Sequence, residues 1–365
     1  MKVAVVHYWL VTMRGGEKVL EALLTMFPEA DIYTHVYDPK AVSPLINSRR
    51  VYTSSINRLP FARSRYQTYM PLMPHALTAF DLQSYELVIS SESGPAKGVV
   101  PHPDAYHLCY CHSPMRYLWD MYHQYFAGAN LLTRFFMRRL IPGLRVWDCV
   151  SANLVDRFAA NSTYVAKRIK RYYNRDAAVV FPPVSLEKFL SIERKAEDFY
   201  LFFGQLAGYK RADLAIEACA ASGRRLVVAG AGAKPRDVRR YEKSGLITFA
   251  GRLSDAEIAG YFSRAKALLF PGIEDFGIIP VEAGAAGCPV IAYRQGGVLD
   301  TIQEGRTGIF FDQQTPASLM EAMDRFERME AAFSDRSAFT RQVQRFSPRA
   351  FVEGIGYLIE QRERR

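Results

Sequence analysis

The sequence predicts an α/β protein built from two doubly wound parallel sheets, and three observations carry that expectation. At 365 residues the chain exceeds what one hydrophobic core usually covers, so two domains are expected, each with its own core. Short apolar, β-branched runs alternate with helical patterns through much of the chain, the rhythm of βαβ units rather than of sandwiches or bundles. Pro182-Pro183 breaks that rhythm near the middle, because proline continues neither a ladder nor a helix interior.

Taken in order, the strands expected before the break are Val3–His7, Asp31–Val36, Glu86–Ser90, Tyr106–Cys111 and Arg157–Ala160. Those expected after it are Phe199–Phe203, Arg225–Ala229, Ile247–Ala250, Ala267–Phe270 and Val290–Tyr293. The domains are then 1–182 and 183–346. From Pro348 to Gln361, Phe351, Ile355, Tyr357 and Ile359 fall at helix-compatible spacing, and a helix over 347–365 is expected to pack back on the first domain. Two such domains are expected to face each other across a cleft, with ligands at the carboxyl ends of the strands.

Composition excludes more than it selects. Hydrophobic residues at 49% and charged residues at 23% suit a globular protein, and no run approaches the roughly 20 apolar residues that a spanning helix needs. The opening Val3-Ala4-Val5-Val6 is too short and too strand-like for a signal-peptide core, so a cytoplasmic location is expected. The five cysteines form no CxxC pair and no His/Cys spacing of a zinc site; they read as reduced core residues, and no metal site is expected. The net charge of +10 suits nucleic acid, anionic lipid or a phosphate-bearing small molecule, and charge alone does not choose. A nucleic-acid platform would interleave its arginines with aromatics, and no such module is present, so no nucleic acid is expected.

The most informative stretch runs from Phe270 to Tyr293. Pro280 suits the first turn of a helix, leaving amides near Gly277, Ile278 and Ile279 to meet phosphate. Glu274 lies in the loop before that helix, and Glu282 is expected within its first turn. The two carboxylates have the spacing to grip vicinal diols at opposite ends of an elongated ligand, which describes a nucleotide-sugar. Equally open on chemistry alone is that Glu282 complements the helix dipole and Glu274 is a solvated loop residue.

Lys210 and Arg211, in the turn that begins Gly204-Gln205 after a strand, sit where a leaving diphosphate would need positive charge, although such a pair in isolation is more often a solvated basic turn. Arg14-Gly15-Gly16-Glu17 after the first strand permits close backbone approach at a helix start. His112 should emerge at the carboxyl end of Tyr106–Cys111, in Cys-His-Ser-Pro-Met-Arg116-Tyr-Leu-Trp-Asp; a lone histidine is more often structural, and position at a strand end favours function.

Together these residues resemble the family 4 (group 1) retaining glycosyltransferases of GT-B fold. The signature is Glu274-x7-Glu282 with Phe276-Gly277 inside it and Glu282-Ala283-x-Ala285-x-Gly287-x-Pro289-Val290-Ile291-Ala292 behind, continued by Gly296-Gly297 and Gly305-Arg306-Thr307-Gly308. The resemblance implies that Glu274 holds donor-sugar hydroxyls, Glu282 the ribose and Lys210 the diphosphate, and that amides at Gly16 and around Gly277 to Ile279 cradle phosphate. It makes His112 and Glu274 the catalytic pair, with Gln205, Arg211 and Phe276 also at the donor site. Gln205 stands where the family usually has arginine, leaving Arg211 to supply that charge, and Asp300 where many relatives have glutamate. The resemblance further implies retention of anomeric configuration, no cofactor and no metal. The segment Tyr110–Asp120 resembles a subgroup using GDP-mannose or a related GDP-sugar in polysaccharide assembly. A UDP-sugar transferase and a sugar-nucleotide epimerase of the same fold are the alternatives.

Between Leu131 and Trp147 large apolar residues are interspersed with Arg134, Arg138, Arg139 and Arg145. That pattern suits an anionic membrane surface and a lipid-linked glycan acceptor, with Arg14 and Arg116 on the acceptor side; a core helix with a solvated face has the same pattern.

Overall fold

A computed structural model describes residues 1–232, 241 and 244–364. The chain divides into two compact units, Met1–Pro183 with Phe351–Arg365, and Val184–Ala350. The division falls one residue past the expected boundary, and the chain rejoins the first unit at Phe351 rather than 347. Arg365, the end of the expected terminal helix, lies outside the described residues.

The first unit holds seven parallel strands: β1 (Val3–His7), β2 (Asp31–Thr34), β3 (Val51–Thr53), β4 (Leu87–Glu92), β5 (Tyr106–Cys111), β6 (Arg157–Ala160) and β7 (Ala177–Val179), in the order β3-β2-β1-β4-β5-β6-β7. Among its described residues the second holds six, again parallel: β8 (Tyr200–Phe203), β9 (Leu226–Ala229), β10 (Ile247–Gly251), β11 (Ala267–Phe270), β12 (Val290–Tyr293) and β13 (Gly308–Phe311), in the order β10-β9-β8-β11-β12-β13. This is the doubly wound α/β architecture the sequence predicts. Strand order reverses between β1 and β4 and between β8 and β11, and those two switch points are where ligands bind in such sheets.

β1, a central strand buried on both faces, reads as an apolar run in which only His7 departs from the pattern. Helix Gly15–Met26 buries Val19, Leu20, Leu23 and Leu24, one apolar stripe, against this sheet. Helix Pro348–Glu360 returns to the same core through Phe351, Ile355, Leu358 and Ile359; Leu358 takes the place expected for Tyr357, which is exposed.

Three strands are absent from the expected list, β3, β7 and β13, and all lie at sheet edges, where short segments pair on one side only. β2 stops at Thr34, two residues short of expectation. β4 instead runs past Ser90 through Ser91 and Glu92, which pair with Tyr110 and Cys111. Those two polar residues are buried, and both belong to the site below.

Candidate active site

In the second unit the turn after β8 and the loop after β11 leave adjacent strands at the switch point. Lys210 ends a 3-10 turn, Gly208–Lys210, and its Nζ pairs with Glu274 Oε1. Backbone packing brings the two together: a Cβ on Gly272 would lie 2.8 Å from Lys210 Cα, so only glycine lets the turn rest on the loop. Gly297 closes the other side. Its amide donates to Glu274 O at 2.9 Å, and a Cβ there would lie 2.3 Å from Phe276 Cα. Gly272 and Gly297 thus fix the loop that carries Glu274.

Helix Ile278–Ala285 follows, with Gly277 at φ 88° before it, a conformation that favours glycine. The amides of Ile278 and Ile279 find no acceptor among the described residues, and Pro280 has none to offer. Phe276 is a core residue, packed edge-on against Phe346 at 5.4 Å. Glu282 stands in the second turn, not the first, because the helix starts at Ile278 and not earlier. Its side chain is half-buried and makes no hydrogen bond or ion pair among the described residues. Burial pushes its carboxyl up to about 7; Lys188 pulls against that shift and Asp255 adds to it.

Gln205 and Arg211 make no hydrogen bond or ion pair with Lys210 or Glu274 among the described residues. Gln205 is exposed. Arg211, in the left-handed region at φ 55°, directs its guanidinium to Asp213 Oδ2 at 3.0 Å and Gln314 at 3.4 Å. Asp300 lies in a short helix, Val298–Thr301, directly after the glycine pair.

In the first unit His112 follows β5 and keeps the strand's pairing, its amide donating to Glu92 O at 2.8 Å while Asn161 Nδ2 donates to its carbonyl at 2.9 Å. Its ring lies edge-on to Tyr8 and Tyr110, and Nε2 bonds Ser91 Oγ at 2.8 Å. Burial, with a smaller contribution from His7, pushes the ring's pKa down to about 3, so His112 is neutral at physiological pH. Ser91 Oγ also bonds His7 Nδ1 at 3.0 Å. Sequence reading missed His7, Ser91 and Glu17; a polar residue ending an otherwise apolar strand is the one signal that pointed to His7.

Beneath Glu92 lies a buried charge cluster that sequence reading also missed. Lys97, Glu92 and Asp148 are fully buried. Lys97 Nζ lies 3.4 Å from Glu92 Oε1 and pairs with Asp148 Oδ1, while Trp119 Nε1 and Tyr173 Oη donate to Asp148 Oδ2 at 2.7 and 2.9 Å. Glu92 Oε2 accepts the amides of Ala96 and Lys97. The cluster therefore holds the backbone to which His112 is bonded.

Gly16 is the second residue of helix Gly15–Met26, and exposed Arg14 is its N-cap, its amide donating to Glu17 Oε2 at 2.8 Å. Arg116 is half-buried, with Nη1 3.6 Å from Met121 Sδ. Arg134 donates to the carbonyls of Phe126 and Ala127, closing the end of helix Tyr122–Gly128. Arg138 and Arg139 are exposed on helix Leu131–Ser151, beside exposed Leu131, Leu132, Phe135 and Phe136. Among the described residues no helix is long and apolar enough to cross a membrane.

Comparison with known proteins bears on both units. Residues 184–346 match the model of "Glycosyl transferases group 1". A D-inositol 3-phosphate glycosyltransferase of Streptomyces scabiei is 28% identical over 204 residues, 47% of this chain and 46% of that one. The human alpha-1,3/1,6-mannosyltransferase ALG2 is 32% identical over 121 residues, covering 32% of this chain and 29% of the relative. The chain spans about half the length of the first of these relatives. Among solved structures, Anabaena HepE in complex with UDP superposes with a TM-score of 0.69 at 14% identity, over 99% of this chain and 100% of that one, a likeness of fold. The fold is GT-B, and the second unit, residues 184–346, is similar to the glycosyl transferases group 1 family.

Proposed function

We propose that this protein transfers a hexose from a nucleoside-diphosphate sugar to an acceptor hydroxyl. The observation that carries the reading is the site at the second switch point: Lys210 paired with Glu274 beside two helix amides and, one turn further on, Glu282, all three without a hydrogen-bond partner among the described residues. In this reading the diphosphate lies against the amides of Ile278 and Ile279 and Lys210, Glu274 accepts from the sugar hydroxyls, and Glu282 accepts from the ribose diol.

Transfer is proposed to proceed with retention and without metal. The acceptor oxygen bonds to the anomeric carbon as the bond from that carbon to the diphosphate breaks, and the acceptor proton passes to the departing phosphate oxygen. Lys210 and the helix amides stabilise the charge that builds there. The proposed donor is GDP-mannose, supported by the segment Tyr110–Asp120 and by the mannosyltransferase relative. The UDP complex of HepE favours a UDP-sugar as the second reading.

The proposed acceptor is a lipid-linked glycan in surface polysaccharide or glycolipid synthesis, met at the inner face of the plasma membrane. Leu131 is 83% exposed and Phe135 64%, and Arg138 and Arg139 stand on the same exposed helix, a surface suited to anionic lipid. The test is nucleotide release from GDP-mannose and UDP-glucose in the presence of lipid extract, with the anomeric configuration of the product read by NMR. Release from GDP-mannose and a retained α-linkage are expected; release from neither would overturn the proposal.

A further inference from the structure

His112 ends a buried chain of polar groups that runs back through the first sheet. Glu17 Oε1 lies 3.8 Å from His7 Nε2, His7 Nδ1 lies 3.0 Å from Ser91 Oγ, and Ser91 Oγ lies 2.8 Å from His112 Nε2. Glu17, His7 and Ser91 are all buried, and His7 faces Ser91 in the β1–β4 register at the switch point. His112 Nδ1 has no hydrogen-bond partner among the described residues.

A hydroxyl has one proton to give, so Ser91, placed between two imidazole rings, donates to one ring and accepts from the other. The tautomers of His7 and His112 are therefore coupled. What sets the direction is Glu17, whose Oε2 is taken by the Arg14 amide at 2.8 Å and whose Oε1 faces His7. Burial opposes its ionisation, yet the His7 ring and the amides of Glu17 and Arg14 hold the carboxyl below the usual range. At 3.8 Å the contact is too long for a hydrogen bond, and His7 Nε2 is a buried atom without one. A proton on Nε2 is attracted to the carboxylate, whereas a lone pair there would be repelled.

We propose that Glu17, His7 and Ser91 are positioning residues that fix the tautomer of His112: His7 carries its proton on Nε2, Ser91 donates to His7 and accepts from His112 Nε2–H, and His112 Nδ1 is left as an acceptor for a substrate hydroxyl. This rests on the reading of His112 as a substrate-contacting group. The device gives the ring a single role toward its ligand, acceptor and not donor, without charging it.

Histidine-selective 15N NMR of the full chain, with His112 assigned from His112→Ala, tests the tautomer directly. A protonated Nε2 and bare Nδ1 are expected in the native chain and in Ser91→Thr, which keeps the hydroxyl, and a mixture of tautomers in Ser91→Ala. Turnover of GDP-mannose should fall about tenfold in Ser91→Ala, the effect of one weakened neutral hydrogen bond, and recover in Ser91→Thr. A protonated Nδ1 in the native chain, or an unchanged tautomer in Ser91→Ala, would overturn the proposal. Native turnover in His112→Ala would overturn the substrate contact itself, and the tautomer read by NMR separates that failure from the first.

Discussion

Lys210 and Glu274 form an ion pair between two loops that leave neighbouring strands, β8 and β11, on either side of the point where strand order reverses. Both side chains are largely shielded from water, so each is the other's main compensation for lost hydration. A ligand with hydroxyls and phosphates replaces that pairing by contacts to both members, which is how such a pair binds a polar molecule without leaving either charge bare.

Glu274→Ala removes the proposed sugar contact and should lower transfer at least about a hundredfold, the scale of a group acting on the reacting centre. The fold should survive, because Glu274 sits on a loop whose backbone is held by Gly297. Steady-state kinetics with circular dichroism checks both halves, and unaltered turnover would remove Glu274 from the chemistry.

Gly297→Ala should disrupt the same loop without touching a ligand. Gly297 has an ordinary φ of −68°, so the constraint is space alone: a new methyl would meet Phe276 Cα at 2.3 Å and Asp275 O at 2.5 Å. A loss of about 1–3 kcal/mol is expected in urea denaturation, together with weakened nucleotide binding.

Glu282 predicts a pH dependence whose sign follows from its raised carboxyl. With a folded pKa of about 7 against an ordinary 4.5, the native state holds this proton more tightly than the unfolded chain does. Its contribution to stability is full below about pH 4.5 and is lost as pH rises through 7. Glu282→Gln should match the native chain near pH 5 and exceed it at pH 8 by on the order of 2 kcal/mol. Binding of a ribose diol to the carboxylate has the opposite sign, strengthening as pH rises through 7 and losing that dependence in Glu282→Gln. Thermal melts and nucleotide titrations across pH 5 to 8 check the two together.

Lys97→Ala should be costly at a distance from any ligand, since it leaves Glu92 and Asp148 buried without their cation. A loss of about 3–5 kcal/mol is expected by chemical denaturation. A loss below about 1 kcal/mol would contradict the cluster's role in holding Glu92 and, through its carbonyl, His112.

Helix Leu131–Ser151 gives a prediction for the membrane reading. Phe135→Asp with Phe136→Asp should reduce flotation with vesicles containing anionic lipid and leave binding of free nucleotide unchanged, as both residues are exposed. Equal flotation of the variant would argue against this surface.

The sequence was most legible where burial imposes an apolar pattern. All ten strands expected from β-branched runs are present, since a parallel sheet buried on both faces leaves little ambiguity in β1 or β11. Strand ends were less legible. Ser91 and Glu92 extend β4 through polar residues, and the partners of Ser91, His7 and His112, are distant in sequence, so no local pattern announces them. The second unit's site was readable because its glycines, carboxylates and proline crowd into one segment. Arg211 shows the limit of that reading: adjacency to Lys210 says nothing of the left-handed backbone that turns its side chain to Asp213.

The most direct test of the account is a thermal-shift screen of the purified protein against GDP, UDP, ADP and dTDP, repeated on Lys210→Ala, because a ligand that binds only the folded state raises its melting temperature. The account predicts a selective shift with GDP that is lost in Lys210→Ala. A shift that persists in that variant, or none with any of the four nucleotides, would contradict a donor site at Lys210 and Glu274.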